Sequence, residues 1–186
     1  GPDGSRLATS VVPEHFVIGN NRTACDAAAT EARRLGYDVV DVRPDERGIA
    51  SDVGRELLRE LVELCDRKSD RRRQCLITGG EPVVELTETD LLRTGGRNQE
   101  LVLAALDAAW SGDLSKIVLL SGGTDGEDGP TDAAGAVVDA AIMQRARELA
   151  ASEQALRESE ARLDVMLNQM PVVLWCVDAK LRFTVS

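Results

Sequence analysis

Histidine is nearly missing from this chain: His15 is the single one among 186 residues. Imidazole-based triads and histidine-held zinc are thereby excluded. The four cysteines, Cys25, Cys65, Cys75 and Cys176, stand far apart and form no CxxC pair. A thiolate metal site is therefore not expected, and reduced, mostly buried thiols are. No stretch approaches the roughly 20 apolar residues of a membrane span, and no N-terminal apolar core marks a secretory leader. These absences predict a cytoplasmic protein with no membrane partner. Basic residues are outnumbered, with 22 Lys and Arg against 32 Asp and Glu and a net charge of −10. Nucleic acid is accordingly not expected as a partner, because phosphate contacts need a basic face. The one basic run, Arg71-Arg72-Arg73, falls in a polar connector. GxxxxGK[ST] and GxGxxG are also lacking, so neither a Walker-type phosphate loop nor a dinucleotide fingerprint is present.

What the chain does have is an alternation of apolar runs and helical patterns. Gly1 to Ser5 reads as an expression scar and is left out of the fold argument. His15-Phe16-Val17-Ile18 predicts a first strand ending at Gly19. Thr23 to Leu35 predicts a helix stopped by Gly36, with Thr23 and Asp26 at capping-box spacing. Residues 37–42 predict a second strand, which would complete a βαβ unit. Ser51 to Arg67 carries Val53, Leu57, Leu61 and Leu64 at helical spacing. A strand over 75–78 ends in Gly79-Gly80-Glu81, and Val83 to Leu86 has the composition of a shorter one. Thr94 to Glu100 predicts the opening of a helix that runs through Trp110, with Val102, Leu106 and Ala109 on one face. Strands alternating with helices give the fold class: α/β, a mainly parallel sheet flanked by helices in a Rossmann-like arrangement, then a long helix and a short β-hairpin.

The most informative stretch runs from Leu119 to Asp132. An apolar run, Ile117 to Leu120, stops at Gly122-Gly123 and meets a loop carrying Asp125, Asp128 and Asp132. The run predicts a central strand of a parallel sheet, and Ala133-Ala134-Gly135-Ala136 predicts a helix start. Ligands in open α/β sheets sit beyond the carboxyl ends of strands, and carboxylates there can hold a hard cation. The calcium-loop pattern fails, because Pro130 stands where glycine is needed. Glycine-bearing strand ends at Gly19, Gly79-Gly80 and Gly122-Gly123 are expected to converge on one edge. Arg97 stands just inside a helix start, where a cation opposes the macrodipole by about 0.3–1 kcal/mol. A bound phosphate or carboxylate would satisfy both the guanidinium and the free N–H groups; a salt bridge to Glu81 or Asp125 is the competing explanation. Asn98 and Gln99 add neutral donors.

Three blocks, Cys75 to Glu81, Gly95-Gly96-Arg97-Asn98-Gln99-Glu100 and Gly123 to Ala136, resemble the signature blocks of the glycerate 2-kinase family, in its C-terminal MOFRL domain. The segment Val17 to Asn21 with its helix resembles what precedes that domain. The resemblance implies transfer of the γ-phosphate of ATP, with Mg²⁺, to the 2-hydroxyl of D-glycerate. It implies catalytic roles for Arg97 and Asp125, and Mg²⁺ held by Asp125 or Asp128. Substrate or phosphate would be bound by Gly79, Gly80, Glu81, Gly95, Gly96, Asn98, Gln99, Gly122, Gly123 and Thr124. Two departures stand out. Pro82-Val83 replace the threonines that usually follow Gly80-Glu81, and the family's large N-terminal kinase domain, with its catalytic lysine, is missing. The expectation is a fragment inactive alone.

From Asp139 a helical pattern continues to Met170, with Leu149, Leu156, Leu163 and Met170 seven apart. The intervening positions are too polar for a strict coiled coil, so an amphipathic linker competes with a homodimer seam. Leu156 to Leu163, Met170 to Asp178 and Leu181 to Phe183 resemble the entry to a PAS sensor domain. The implied organisation is a MOFRL-like α/β domain over 6–142, a linker or signalling helix over 143–170, and the start of a PAS-like domain over 171–186. The alternative function is a small-anion sensing and dimerisation module coupled to PAS signalling.

Overall fold

The computed structural model describes residues 16–67, 73–88, 94–169, 175–177 and 183–185. His15 and the Arg71 to Arg73 run except Arg73 itself lie outside the described residues. The chain divides into two units, up to Val138 and from Asp139 onward.

In the first unit, α1 (Asn21–Arg34) leads to β1 (Asp38–Glu46), α2 (Ala50–Asp66) and β2 (Gln74–Gly80). α3 (Arg97–Ala108), β3 (Leu119–Gly122) and β4 (Gly135–Val138) follow. β1 and β2 pair in parallel, from Asp38 opposite Gln74 to Glu46 opposite Gly80. The crossover between them is α2, so the βαβ unit is real but starts one strand later than the pattern predicts. Pro44 lies where the register shifts between Arg43 and Glu46, as a residue without an N–H requires. The predicted first strand does not form: residues 16–20 have no regular structure, and Phe16, Val17 and Ile18 are 80%, 79% and 99% exposed. Nothing in the described structure offers them a pairing partner or a cover. Around Val83 there is one isolated bridge to Ile49 rather than a strand.

α1 begins two residues before the predicted start. Asn20, not Thr23, is its cap, accepting from the Thr23 N–H at 3.0 Å. The competition is local: a side-chain oxygen only reaches N–H groups two or three residues ahead, and Asn20 sits at that distance. Gly36 ends the turn at φ +87°, a conformation that disfavours side chains. α2 buries Val53, Leu57 and Leu58, and α3 buries Leu101, Val102, Ala104 and Ala105. The two helices lie against one another so closely that a Cβ on Gly54 would run into the Leu101 carbonyl. Arg43 of β1 ties down α2: its guanidinium donates to both oxygens of Glu60, and Nε donates to Asp41 Oδ2 at 2.7 Å. These two carboxylates push the Arg43 pKa further up.

β3 corrects the expectation of a central parallel strand. It pairs antiparallel with β4, Leu119 opposite Val138 and Gly122 opposite Gly135. Leu119 is buried while Leu120 is 74% exposed, the one-sided burial of an antiparallel pair rather than the two-sided burial of a central strand. The predicted helix start at 133–136 is likewise a strand. Gly135 and Ala136 pair with Gly122 and Ser121, and Val137-Val138 add β-branched residues that suit a pleated surface. The parallel pairing of the fold class thus belongs to β1 and β2.

In the second unit, α4 (Ala140–Gln169) opens on Asp139, whose Oδ1 accepts from the Ile142 N–H at 2.8 Å. Every residue from 148 to 165 is exposed. β5 (Trp175–Val177) and β6 (Phe183–Val185) form the expected antiparallel pair; the PAS-like residues around them lie outside the described residues. Among the described residues no helix is long and apolar enough to cross a membrane.

Candidate functional site

The carboxyl ends of β2 and β3, the first turn of α1 and the first turn of α3 enclose a cleft of about 350 Å³. Gly79, Gly80, Glu81, Arg97, Asn98, Gly122, Gly123, Thr124 and Asp125 all line it. Two of the three glycine-bearing strand ends therefore meet, although β2 and β3 belong to two different sheets rather than to one parallel sheet. Gly19 does not join them, because its strand is not formed.

The entry to α3 is built from two distant segments. Gly96 is the cap residue and has no side chain to offer. Asp128 does the capping instead, from the acidic loop. Its Oδ1 accepts from the Asn98 N–H at 3.0 Å and from Asn98 Nδ2 at 2.9 Å, and its Oδ2 accepts from the Gln99 N–H at 2.8 Å. Asp128 is 3% exposed. Burial alone would raise its pKa, but the backbone N–H groups of Asn98 and Gln99 and their side-chain amides together hold it below the ordinary carboxylate value. The approach needs glycine on both sides. A Cβ on Gly96 would overlap the Asp128 carboxylate, and one on Gly129, which sits at φ +64°, would run into the Gly95 carbonyl.

This geometry changes several expected roles. Asp128, an expected Mg²⁺ ligand, is a buried helix cap with both oxygens engaged. Asn98 and Gln99, expected to donate to a ligand, donate inward instead. Asn98 Oδ1 accepts from Ser121 Oγ at 2.6 Å, and Gln99 Nε2 donates to Thr131 Oγ1 at 3.0 Å. Gly80 serves close strand approach, since a Cβ there would collide with the Glu46 backbone. Gly79 accommodates Cys25, whose Sγ would lie 2.5 Å from an added Cβ. Gly123 is similarly confined by the Glu127 carbonyl, 2.5 Å from an added Cβ. Among the four strand-end glycines, Gly122 has the most room, with the Ala134 carbonyl 3.6 Å from an added Cβ.

Arg97 remains at the rim. Its side chain is 45% exposed and its Nη1 lies 3.8 Å from Glu81 Oε2. The alternative salt bridge is thus made to Glu81, but it is long and solvated and worth little. The guanidinium keeps capacity for an incoming anion. Asp125 Oδ1 accepts weakly from the Glu127 N–H at 3.3 Å. Glu81 and Asp125 put two carboxylates on the lining of one cleft, while among the described residues no group of three His, Cys, Asp or Glu is placed to hold a metal by itself. A Mg²⁺ ion is commonly held by one or two carboxylates plus the substrate's phosphates, so the lining fits a shared ion and not a closed cage.

Sequence reasoning does not single out Asn21, Cys25, Thr78 or Ser121, which line the same cleft. Ser121 could have been found from its place directly before the Gly122-Gly123 pair, and Asn21 from its place at a helix start. Cys25 gives no such signal. Burial first, and the neighbouring Asp26 carboxylate second, push its thiol pKa up, which makes it a small apolar filler rather than a nucleophile.

A family model described as MOFRL matches residues 74–169, more than half of the chain. The D-glycerate 2-kinase of Thermotoga maritima is 38% identical over 128 residues, covering 68% of this chain and 29% of that protein. The glycerate kinase of Danio rerio is 34% identical over 170 residues, covering 71% and 33%. A solved protein of Pyrococcus horikoshii superposes with a TM-score of 0.60 at 31% identity, over 74% of this chain and 30% of that one. The solved glycerate kinase of Thermotoga maritima gives 0.55 at 36% identity, over 68% and 30%. The chain spans about a third or less of the length of these relatives.

Proposed function

The chain belongs to the MOFRL family, and from that premise we propose that it forms one wall of a glycerate kinase-type active site, transferring phosphate from ATP to D-glycerate. The observation that carries this reading is Arg97 at the mouth of the cleft, at a helix start whose own cap is supplied from elsewhere. Phosphoryl transfer needs positioning and charge stabilisation more than covalent help from the protein. Arg97 is the group for that task, gripping the carboxylate of glycerate or the phosphoryl oxygens with a two-pronged donor. Thr124 and the open backbone beside Gly122 add neutral contacts to the same anion. Asp125 and Glu81, both on the lining of the cleft, would hold Mg²⁺, which would supply charge neutralisation for the phosphates. Asp128 contributes by fixing the loop that carries Asp125. The remaining two thirds of a full-length relative would complete the site, so turnover by this chain alone is not expected.

Calorimetric titration with D-glycerate, and separately with ATP and Mg²⁺, tests the proposal. We expect binding of at least one of them, and a loss of about 10-fold or more in affinity on Arg97→Ala, with the melting temperature preserved. Equal affinity in the variant would remove Arg97 from the site and with it the reading.

A second reading is favoured by α4. A helix whose residues 148–165 are all exposed, with Leu149, Leu156 and Leu163 at 63%, 60% and 56% exposure, has a seam that a second copy could cover. On this reading the cleft senses an anion and the helix pairs with its twin, relaying occupancy to a PAS-like domain. Leu156→Asp should then halve the mass measured by light scattering; an unchanged mass would dispose of the pairing.

A further inference from the structure

The donors and acceptors that meet at the Asp128 cap can run in one direction only. An ionised carboxylate only accepts, and Asp128 Oδ1 takes both the Asn98 N–H and Asn98 Nδ2, at 3.0 and 2.9 Å. The Asn98 amide is thereby oriented, with its nitrogen toward Asp128 and its oxygen in need of a donor. Ser121 Oγ, 2.6 Å from Asn98 Oδ1, is that donor. A serine hydroxyl has one proton and two acceptor lone pairs. With the proton committed to Asn98, half-buried Ser121 has only lone pairs left for the cleft that it lines.

Neither end of this chain of hydrogen bonds is free to turn round. Asp128 is buried and is also held by the Gln99 N–H at 2.8 Å. Ser121 is fixed in β3 opposite Ala136, and a Cβ on the facing Gly135 would run into the Ser121 carbonyl. A Ser121 proton turned toward a ligand would leave Asn98 Oδ1 without its donor, and a part-buried acceptor without a partner is costly. Arg97, the residue before Asn98, is the opposite kind of group, since a guanidinium only donates. Glu81 and Asp125 accept as well, but their charge repels an anion. Ser121 is a neutral acceptor and can stand beside one.

An anion with a hydroxyl next to its carboxylate matches that pair: the carboxylate accepts from Arg97 and the hydroxyl donates to Ser121. We propose that Ser121 is a specificity-determining residue, accepting from the α-hydroxyl of a 2-hydroxy acid and so selecting it over the 2-keto and 2-deoxy acids. This rests on the reading of Arg97 as the group that grips the carboxylate. A keto oxygen would set an acceptor against an acceptor, and a methylene would offer no donor. Sites built to pair a ligand hydroxyl reject analogues that lack it.

Calorimetric titration of the full chain with D-glycerate, with its keto counterpart hydroxypyruvate and with 3-hydroxypropanoate, which lacks the 2-hydroxyl, decides the matter. D-Glycerate is expected to bind on the order of 10-fold more tightly than either analogue. Ser121→Ala should bring the three affinities within about 2-fold of one another, whereas Ser121→Thr, which keeps the hydroxyl, should retain the preference. A merely structural role would weaken all three acids alike, as Arg97→Ala should. Hydroxypyruvate bound as tightly as D-glycerate would mean that Ser121 gives its proton to the ligand; it overturns the proposal and leaves Arg97 its role. A preference that survives Ser121→Ala overturns it too. Binding of ATP with Mg²⁺ but of none of the acids removes Ser121 from recognition while the phosphate site stands. Binding of neither removes the functional reading and this one with it. Should Ser121→Ala fail to fold, Ser121→Cys, whose sulfur is a weak acceptor of similar shape, should lose the preference in its place.

Discussion

Asp128→Ala is expected to lower the stability of the chain by roughly 2–3 kcal/mol, the sum of a lost helix cap and of charge-assisted hydrogen bonds. The substitution strands the Asn98 and Gln99 N–H groups and the Asn98 amide, all of which donate to the one carboxylate. It also releases the acidic loop from α3, so the effect should appear in both stability and anion binding. Urea unfolding checks the first part; a midpoint unchanged within error would show that the cap contributes nothing. The pH dependence follows from the direction of the Asp128 shift. Its pKa is lower folded than unfolded, so its contribution is fully present above the unfolded value of about 4. It is lost as pH falls from there through the folded value. The parent chain should therefore lose more stability on acidification through this window than Asp128→Asn does.

Gly54→Ala is expected to destabilise, against the usual sign. Inside a helix that exchange normally gains about 1 kcal/mol. Here the added methyl would enter the carbonyl of Leu101, forcing α2 and α3 apart along a face formed by Val53, Leu57, Leu101 and Ala105, all buried. Overpacking of that kind costs about 1–3 kcal/mol, and the cost outweighs the gain in helix propensity. The melting temperature should fall by several degrees. A rise would mean that the two helices can separate freely, and that the core does not depend on their close approach.

Helices α2 and α3 could be read from the sequence because their burial repeats with the helical period, Val53 with Leu57 and Val102 with Ala109. The meeting of Gly79-Gly80 with Gly122-Gly123 was legible from the glycine pairs at two strand ends, although the single parallel sheet expected to bring them together is two separate strand pairs. The direction of β3 was not. Leu119 and Leu120 are the same residue type, and only the structure shows that one is buried and the other exposed. Residues 133–136 are small enough for either helix or strand, and pairing with Ser121 and Gly122 decided the matter. The role of Asp128 could not have been seen at all. Its partners Asn98 and Gln99 lie about thirty positions away, and capping rules look only a few residues ahead. Arg97 was readable as an anion candidate because its charge conflicts with the local dipole, a conflict visible in three adjacent letters.

The acidic loop is also a detachable part. It leaves the sheet at Gly123, whose N–H donates to the Ala134 carbonyl at 2.7 Å, so both ends are tied where β3 and β4 begin to pair. Between these ends the one deep anchor is Asp128. Thr131 is held by Gln99 at 3.0 Å, so it is residues 124–127, all exposed, that hang between fixed points like a short span of a bridge. Their chemistry can be rewritten by evolution or by an engineer, and a new substrate preference installed, while the strands beneath keep their register.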